Sequence, residues 1–251
     1  MIKKFIKTHE HAWVLVYFVF YVPWYFGLQQ RDISHFFDMY VGLDHIIPFV
    51  PAFIIPYIYW FLFVAGTLLF LFFYNADEFY RGFSFLACGM TISLIIFTIF
   101  PTTFCHRPEV LTGNAFEQFW LRFIYGADKP TNVFPSIHVF NSIGCAIALI
   151  KSKKFKDNKP MHIFAIISAV LITLSTMFIK QHSVMDAVAA SIIAYILYQL
   201  IYKREHPRLR QFVYSKFPNK AKGVSKMTPF LIAIVYKIMK FCGLKPQNYC
   251  E

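Results

Sequence analysis

Charge is scarce in this chain. Only 15% of its 251 residues are charged, where a soluble domain carries about 25%. No segment of soluble composition is large enough to be a separate domain, so the sequence reads as one integral membrane domain. Acidic residues are scarcer still, 13 against 25 lysines and arginines, for a net charge of +12. Such a surplus often marks nucleic-acid binding, but here the basic residues fall between apolar blocks and in the tail. That is the positive-inside pattern, with added attraction to anionic lipid headgroups, and it excludes nucleic acid as the expected partner. Cysteine is sparse and unpaired in spacing: Cys88, Cys105, Cys145, Cys242 and Cys250 form no disulfide or metal pattern. Cys88 and Cys145 lie inside apolar blocks, where cysteine is a small packing residue. Neither a disulfide nor a metal site is assigned. The start, M-I-K-K-F-I-K, is like a signal peptide, but no small-residue cleavage site follows the apolar run, so it reads as a retained first span.

What is abundant is apolar and aromatic: 57% and 20% of residues. The apolar residues come in blocks of the length that crosses a bilayer, ~20 residues of helix. The expected fold is therefore all-α and polytopic, with six transmembrane helices over 12–28, 57–74, 82–100, 135–150, 161–179 and 183–202. A proline-broken stretch with Pro48, Pro51 and Pro56 leads into the second. The segment 111–126 has apolar positions at helical spacing around Glu117 and Arg122 and predicts a helix lying on the outer membrane surface. It suits a lipid guide or, equally, a simple anchor. A second interfacial helix is expected over 227–242, in a tail that begins after residue 226. Lys3, Lys4 and Lys7, the five lysines of 151–159 and the basic tail vote for cytoplasmic N- and C-termini. The loops at 29–45, 101–134 and 180–182 then face outward across the cytoplasmic membrane.

Three polar clusters fall on that outer face: C-H-R-P-E at 105–109, F-P-S-I-H at 134–138, and S-T-M-F-I-K-Q-H-S-V-M-D at 175–186. Ionisable residues at membrane depth are costly and usually functional. His182 and Asp186 are spaced to meet one helical turn apart. A carboxylate there fixes the imidazole tautomer and leaves the other ring nitrogen free to attack or take a proton. The same pair would also arise from solvation of a helix-start histidine, and H-x-x-x-D could ligate a metal, although no third ligand is evident. Pro135 and Ser136 predict a helix start capped by Ser136, whose free N–H groups favour an anion, with His138 in the first turn placed to protonate a leaving alkoxide. A simple cap and an interfacial histidine would give the same pattern. Arg107 offers a bidentate fork for phosphate and Lys180 a point charge; headgroup snorkelling is the alternative for Lys180. His106 and Glu109 flank Arg107 in a supporting place.

Taken together, the clusters resemble the type 2 phosphatidic acid phosphatase superfamily, whose pattern is K-x(6)-R-P, then P-S-G-H, then S-R-x(5)-H-x(3)-D. Arg107–Pro108 matches the first, and residues 135–138 match the second with Ile137 for glycine. Ser175, His182 and Asp186 match the third. The resemblance runs over roughly residues 80–200. Two positions depart from it: Phe100 stands for the lysine and Thr176 for the arginine. Lys180 is a candidate to supply one missing cation, and F-I-K-Q-H looks like a bacterial branch similar to inositol phosphorylceramide synthases. The resemblance implies a lipid phosphate substrate, His182 as nucleophile oriented by Asp186, and His138 as general acid. It further implies that Arg107, Lys180 and Ser136 hold the phosphate, with no metal or other cofactor. Hydrolysis of a phosphatidate-type or polyprenyl (pyro)phosphate is the leading expectation. Transfer of a phosphoryl headgroup to an alcohol, and a non-catalytic lipid-binding or transport relative, are the alternatives.

Overall fold

A computed structural model describes residues 9–33 and 35–203 of the chain. The helix expected over 227–242 and the basic tail lie outside the described residues, as do Lys3, Lys4 and Lys7.

Helices dominate the described residues, with loops and one two-residue strand pair between them. Helix α1 (Tyr17–Gln30) follows a 3-10 segment, Glu10–Val16. A short helix, α2 (Gly42–Ile46), precedes α3 (Ile54–Tyr74) and α4 (Ala76–Ile99). The surface helix is α5 (Ala115–Ala127), and α6 (Ile137–Lys151), α7 (Lys159–Phe178) and α8 (Val184–Tyr198) complete the bundle. Among the described residues five helices are long and apolar enough to cross a membrane: His11–Gln30, Pro51–Tyr74, Ala76–Ile99, Lys159–Phe178 and Val184–Lys203. The fourth expected span is shorter. Its helix, α6, has 15 residues, about 22 Å at 1.5 Å per residue, against the ~30 Å of a bilayer core.

The structure revises two boundaries. The expected inner loop N-A-D-E-F-Y-R shrinks to one residue, Asn75, between α3 and α4. Its side chain accepts from the Glu78 N–H at 3.0 Å, and Asp77 and Glu78 fill the first turn, so α4 begins where a loop was expected. The proline-containing stretch expected to precede the second span partly joins it. Pro51 opens a 3-10 turn, Pro51–Phe53, that runs directly into α3, with Pro56 in its first turn, where a missing N–H costs nothing.

Helix α6 is the centre of the bundle, packed against α3, α4, α7 and α8. Small residues let it approach closely. A Cβ on Gly89 of α4 would fall 2.0 Å from the Phe140 ring, and one on Gly144 would fall 2.6 Å from Leu86. Phe140 in turn stacks on Phe85, with ring centroids 5.1 Å apart. At the end of the bundle where α6 begins the loops are knitted together. β1 (Phe37–Asp38) pairs in parallel with β2 (Thr102–Thr103), and Thr103 bridges to Thr131. The hydroxyl of Thr102 accepts from the N–H groups of Val133 and Phe134, both at 3.1 Å. These loops hold the segment that leads into α6.

Candidate active site

The turn between α7 and α8 sets the site. α7 ends in a Schellman motif, in which the Lys180 N–H bonds the Met177 carbonyl and the Gln181 N–H bonds the Thr176 carbonyl. The His182 N–H shares the Thr176 acceptor at 3.0 Å. The left-handed position that glycine usually fills is occupied by Lys180, at φ 53°. Thr176, buried at the position of the family's arginine, thus aims the backbone of the histidine through its carbonyl.

His182 and Asp186 meet, by a route different from the expected helix face. α8 begins only at Val184, with Ser183 as N-cap. Asp186 is the third helical residue, and its Oδ2 takes the Ser183 N–H at 3.0 Å in a capping box while reaching His182 Nδ1 at 3.1 Å. The pair is buried, at 7% and 0% exposure. With Nδ1 engaged by the carboxylate, Nε2 is the ring nitrogen left for chemistry.

Ser136 caps α6, its hydroxyl accepting from Val139 N–H at 3.4 Å. Its own N–H donates to the Asp186 carbonyl at 3.2 Å, tying the second cluster to the third. His138 lies in the first turn of α6 with its ring centroid 5.7 Å from that of His182, held between Tyr57 (4.8 Å) and Trp60 (4.4 Å) of α3. Arg107 joins from the first cluster. It donates to the carbonyls of Tyr125 (3.0 Å) and Asp128 (2.6 Å) and to Gln181 Oε1, and stacks over the Tyr125 ring. Burial pushes its guanidinium below the ordinary arginine range, while Asp128 pulls it up. Two buried donors at this corner, Arg107 Nε and Gln181 Nε2, have no protein partner among the described residues. Orphan donors of this kind suit an anion.

Lys180 goes elsewhere. Its ammonium donates to the carbonyls of Asp44 (3.0 Å) and Ile47 (2.5 Å) in the α2 loop. Burial pushes it down from the ordinary lysine range, and Asp44 raises it. The Asp44 carboxylate, 2% exposed, answers across the same joint, accepting from Ser183 Oγ at 2.7 Å and Val184 N at 2.9 Å. Of the flanking pair, His106 bonds Asp38 at 2.8 Å and Glu109 is exposed. The Phe100 ring stacks on Phe37 at 4.4 Å.

Three site residues went unassigned in the sequence. Gln181 stands directly before His182 and holds Arg107. Asp44 is 139 residues from its partner Ser183. Asp128 follows α5 and accepts long hydrogen bonds from Tyr25 (3.3 Å) and Tyr57 (3.4 Å). Only the adjacency of Gln181 to the motif was visible beforehand. Asp128, Gln181, His138 and His182 line one narrow cavity of about 30 Å³. Among the described residues no three His, Cys, Asp or Glu side chains cluster as metal ligands. Surface helix α5 is amphipathic as expected, with Phe116, Phe119 and Phe123 exposed and Leu121 and Ile124 buried.

Helices apolar and long enough to cross a membrane surround an acid-oriented histidine, a second histidine and a guanidinium, and these two features define the class. Residues 82–210, just over half of the chain, match the PAP2 superfamily, and the chain belongs to that family. An uncharacterized protein of Methanocaldococcus jannaschii is 25% identical over 114 residues, covering 45% of this chain and 44% of the relative. The chain thus spans less than half the length of that relative. No solved structure matches. Family membership supports phosphatase-type chemistry.

Proposed function

We propose that this chain is a lipid phosphatase that works through a phosphohistidine at the extracytoplasmic face of the cell membrane. Nε2 of His182 attacks the phosphorus of a phosphatidate-type or polyprenyl phosphate. The P–N bond forms as the P–O bond to the lipid alcohol breaks, and His138 gives its proton to the departing alkoxide. Water then attacks phosphorus, its proton passes to His138, the P–N bond breaks and phosphate leaves. Arg107 and Gln181 hold the phosphoryl oxygens with the N-terminus of α6 at Ser136. Lys180 is assigned a different part from the phosphate ligand expected of it: its carbonyl partners make it a strap between the α2 loop and the α7–α8 turn.

The observation that carries this reading is the assembly at one corner of His182, with Nδ1 fixed on Asp186, and the unpartnered donors of Arg107 and Gln181. A second reading, transfer of the phosphoryl headgroup to an alcohol in place of water, draws on Phe100 and Thr176. With an aromatic and a neutral residue at the family's cation positions, the shell carries less positive charge than a doubly charged phosphate favours. Phosphate release from a panel of lipid phosphates, with and without alcohol acceptors, tests both. His182→Ala should abolish turnover by at least ~10³-fold, and equal rates for the two proteins would sink the mechanism.

A further inference from the structure

The site contains a carboxylate that the proposed chemistry does not use. Asp128 lines the same cavity as His138, His182 and Gln181. It is held there by more than the loop it sits on. Its backbone carbonyl accepts from Arg107 Nη2 at 2.6 Å, its N–H bonds Ile124 at the end of α5, and its two carboxylate oxygens each take a tyrosine hydroxyl, one from α1 and one from α3. A carboxylate on the wall of a phosphate cavity repels its ligand, so its presence needs a chemical reason.

The charges around the cavity supply one. Arg107 brings one positive charge. Lys129 brings a second at the rim, its ammonium turned to the Gln29 carbonyl at 3.2 Å. Asp128, once ionised, cancels one of the two. Elsewhere in the shell, Phe100 stacks on Phe37 and Thr176 is neutral and buried. The net positive charge facing a bound phosphate, outside the His182–Asp186 pair, is that of a single cation, which matches one negative charge and not two.

We infer that Asp128 is a specificity-determining residue that selects a singly charged phosphate over a doubly charged one. A phosphodiester lipid carries one charge at any ordinary pH, whereas a phosphomonoester does so only below its second pKa of about 6. The inference rests on the proposed chemistry at His182 and narrows its substrate. With a diester, the same attack forms the P–N bond, expels one alcohol with the His138 proton and leaves the other esterified on phosphorus. Water or a second alcohol then releases it, returning a proton to His138. The Asp128 carboxylate also suits a neighbouring substrate hydroxyl as its hydrogen-bond donor.

Binding without turnover tests this separately from catalysis. A long-chain alkyl phosphonate, doubly charged at alkaline pH, is compared with its singly charged monomethyl ester by calorimetry on purified full-length protein in detergent. Wild type should bind the ester about tenfold or more tightly over the phosphonate, the scale of one partly screened charge contact. Asp128→Asn should erase that preference and Asp128→Glu should keep it, with Asp128→Ser as the neutral variant should the asparagine protein not fold. A wild-type preference for the phosphonate, a ratio unchanged in the neutral variants, or no binding of either ligand each overturns the inference. A wild-type preference for the ester that vanishes in Asp128→Asn, in a protein whose turnover is the same with and without His182, would uphold Asp128 and refute the phosphohistidine mechanism alone.

Discussion

Replacing Asp44 by alanine removes the acceptor on which the start of α8 rests. Its carboxylate takes three donors: Val41 N–H and Val184 N–H, both at 2.9 Å, and the Ser183 hydroxyl at 2.7 Å. Hydrogen bonds to a charged group contribute about 1.5–3 kcal/mol each, and a buried donor left alone costs about 1–3 kcal/mol. Val41 belongs to the α2 loop and regains water, and the Ser183 hydroxyl can turn, which leaves the Val184 N–H and the joint itself. The net loss works out at about 2–4 kcal/mol, or roughly 5–15 °C in melting temperature for a chain of this size. Because Ser183 lies between His182 and the capping carboxylate, the same change lets the histidine drift from the phosphorus. A displacement of about 1 Å is enough for a hundredfold loss of rate. Asp44→Ala should therefore lower kcat with lipid phosphate by about 10–100-fold while KM moves little, and Asp44→Asn, which keeps one acceptor oxygen, should fall between. Thermal unfolding followed by intrinsic fluorescence, alongside a phosphate-release assay, measures both. An alanine variant that melts and turns over like wild type would refute the claim that the α2 loop positions the site.

Other outcomes follow from the same contacts. Lys180→Ala keeps the left-handed backbone of φ 53° and loses the strap to Asp44 and Ile47, whereas Lys180→Gly loses the strap but relieves the backbone. The glycine protein should melt higher than the alanine protein by about 1 kcal/mol, and equal melting would argue against strain at that residue. Gly89→Ala drives a methyl into the Phe140 ring and should destabilise by about 1–3 kcal/mol or more; adding Phe140→Leu should restore part of the loss, and failure of that rescue would count against the close α4–α6 crossing. Burial raises the Asp128 carboxyl above the usual range, opposed by His182, Arg107, Tyr25 and Tyr57. The folded state therefore holds this proton more tightly than the unfolded chain, and the stability it contributes is full below the unfolded pKa of about 4 and lost as pH rises through the folded value. The melting temperature of Asp128→Asn relative to wild type should accordingly climb with pH over that window, and a constant difference would show that Asp128 is not held in this way.

Much of the molecule was legible in one dimension because its signals are local. Apolar blocks of bilayer length mark the five helices that, among the described residues, are long and apolar enough to cross a membrane, Ser136 reads as a cap and is one, and α5 reads as a surface helix from its periodicity alone. The spacing of His182 and Asp186 foretold their contact, although the chain makes it through a helix cap and not along a helix face. Boundaries were less legible where capping competes with composition, as at Asn75, which starts a helix inside a polar stretch.

Tertiary structure decided what joins the clusters and what charge surrounds them. The bond from Ser136 N–H to the Asp186 carbonyl and that from Ser183 to Asp44 connect residues 50 and 139 positions apart (186 − 136 and 183 − 44), and no periodicity or cap signal reports a contact over such a separation. Lys180 read as a free cation because sequence gives its charge and not its partners; folding gave those partners as two carbonyls of the α2 loop. Asp128 carried no signal at all in G-A-D-K-P, since its meaning comes from three elements converging on one cavity. The sequence by itself determined the membrane helices and the two histidines with their carboxylate, because hydrophobic runs and cap motifs are written in neighbouring residues. The electrostatic character of the pocket, and with it the charge of phosphate it favours, exists only once distant loops are brought within a few ångströms of one another.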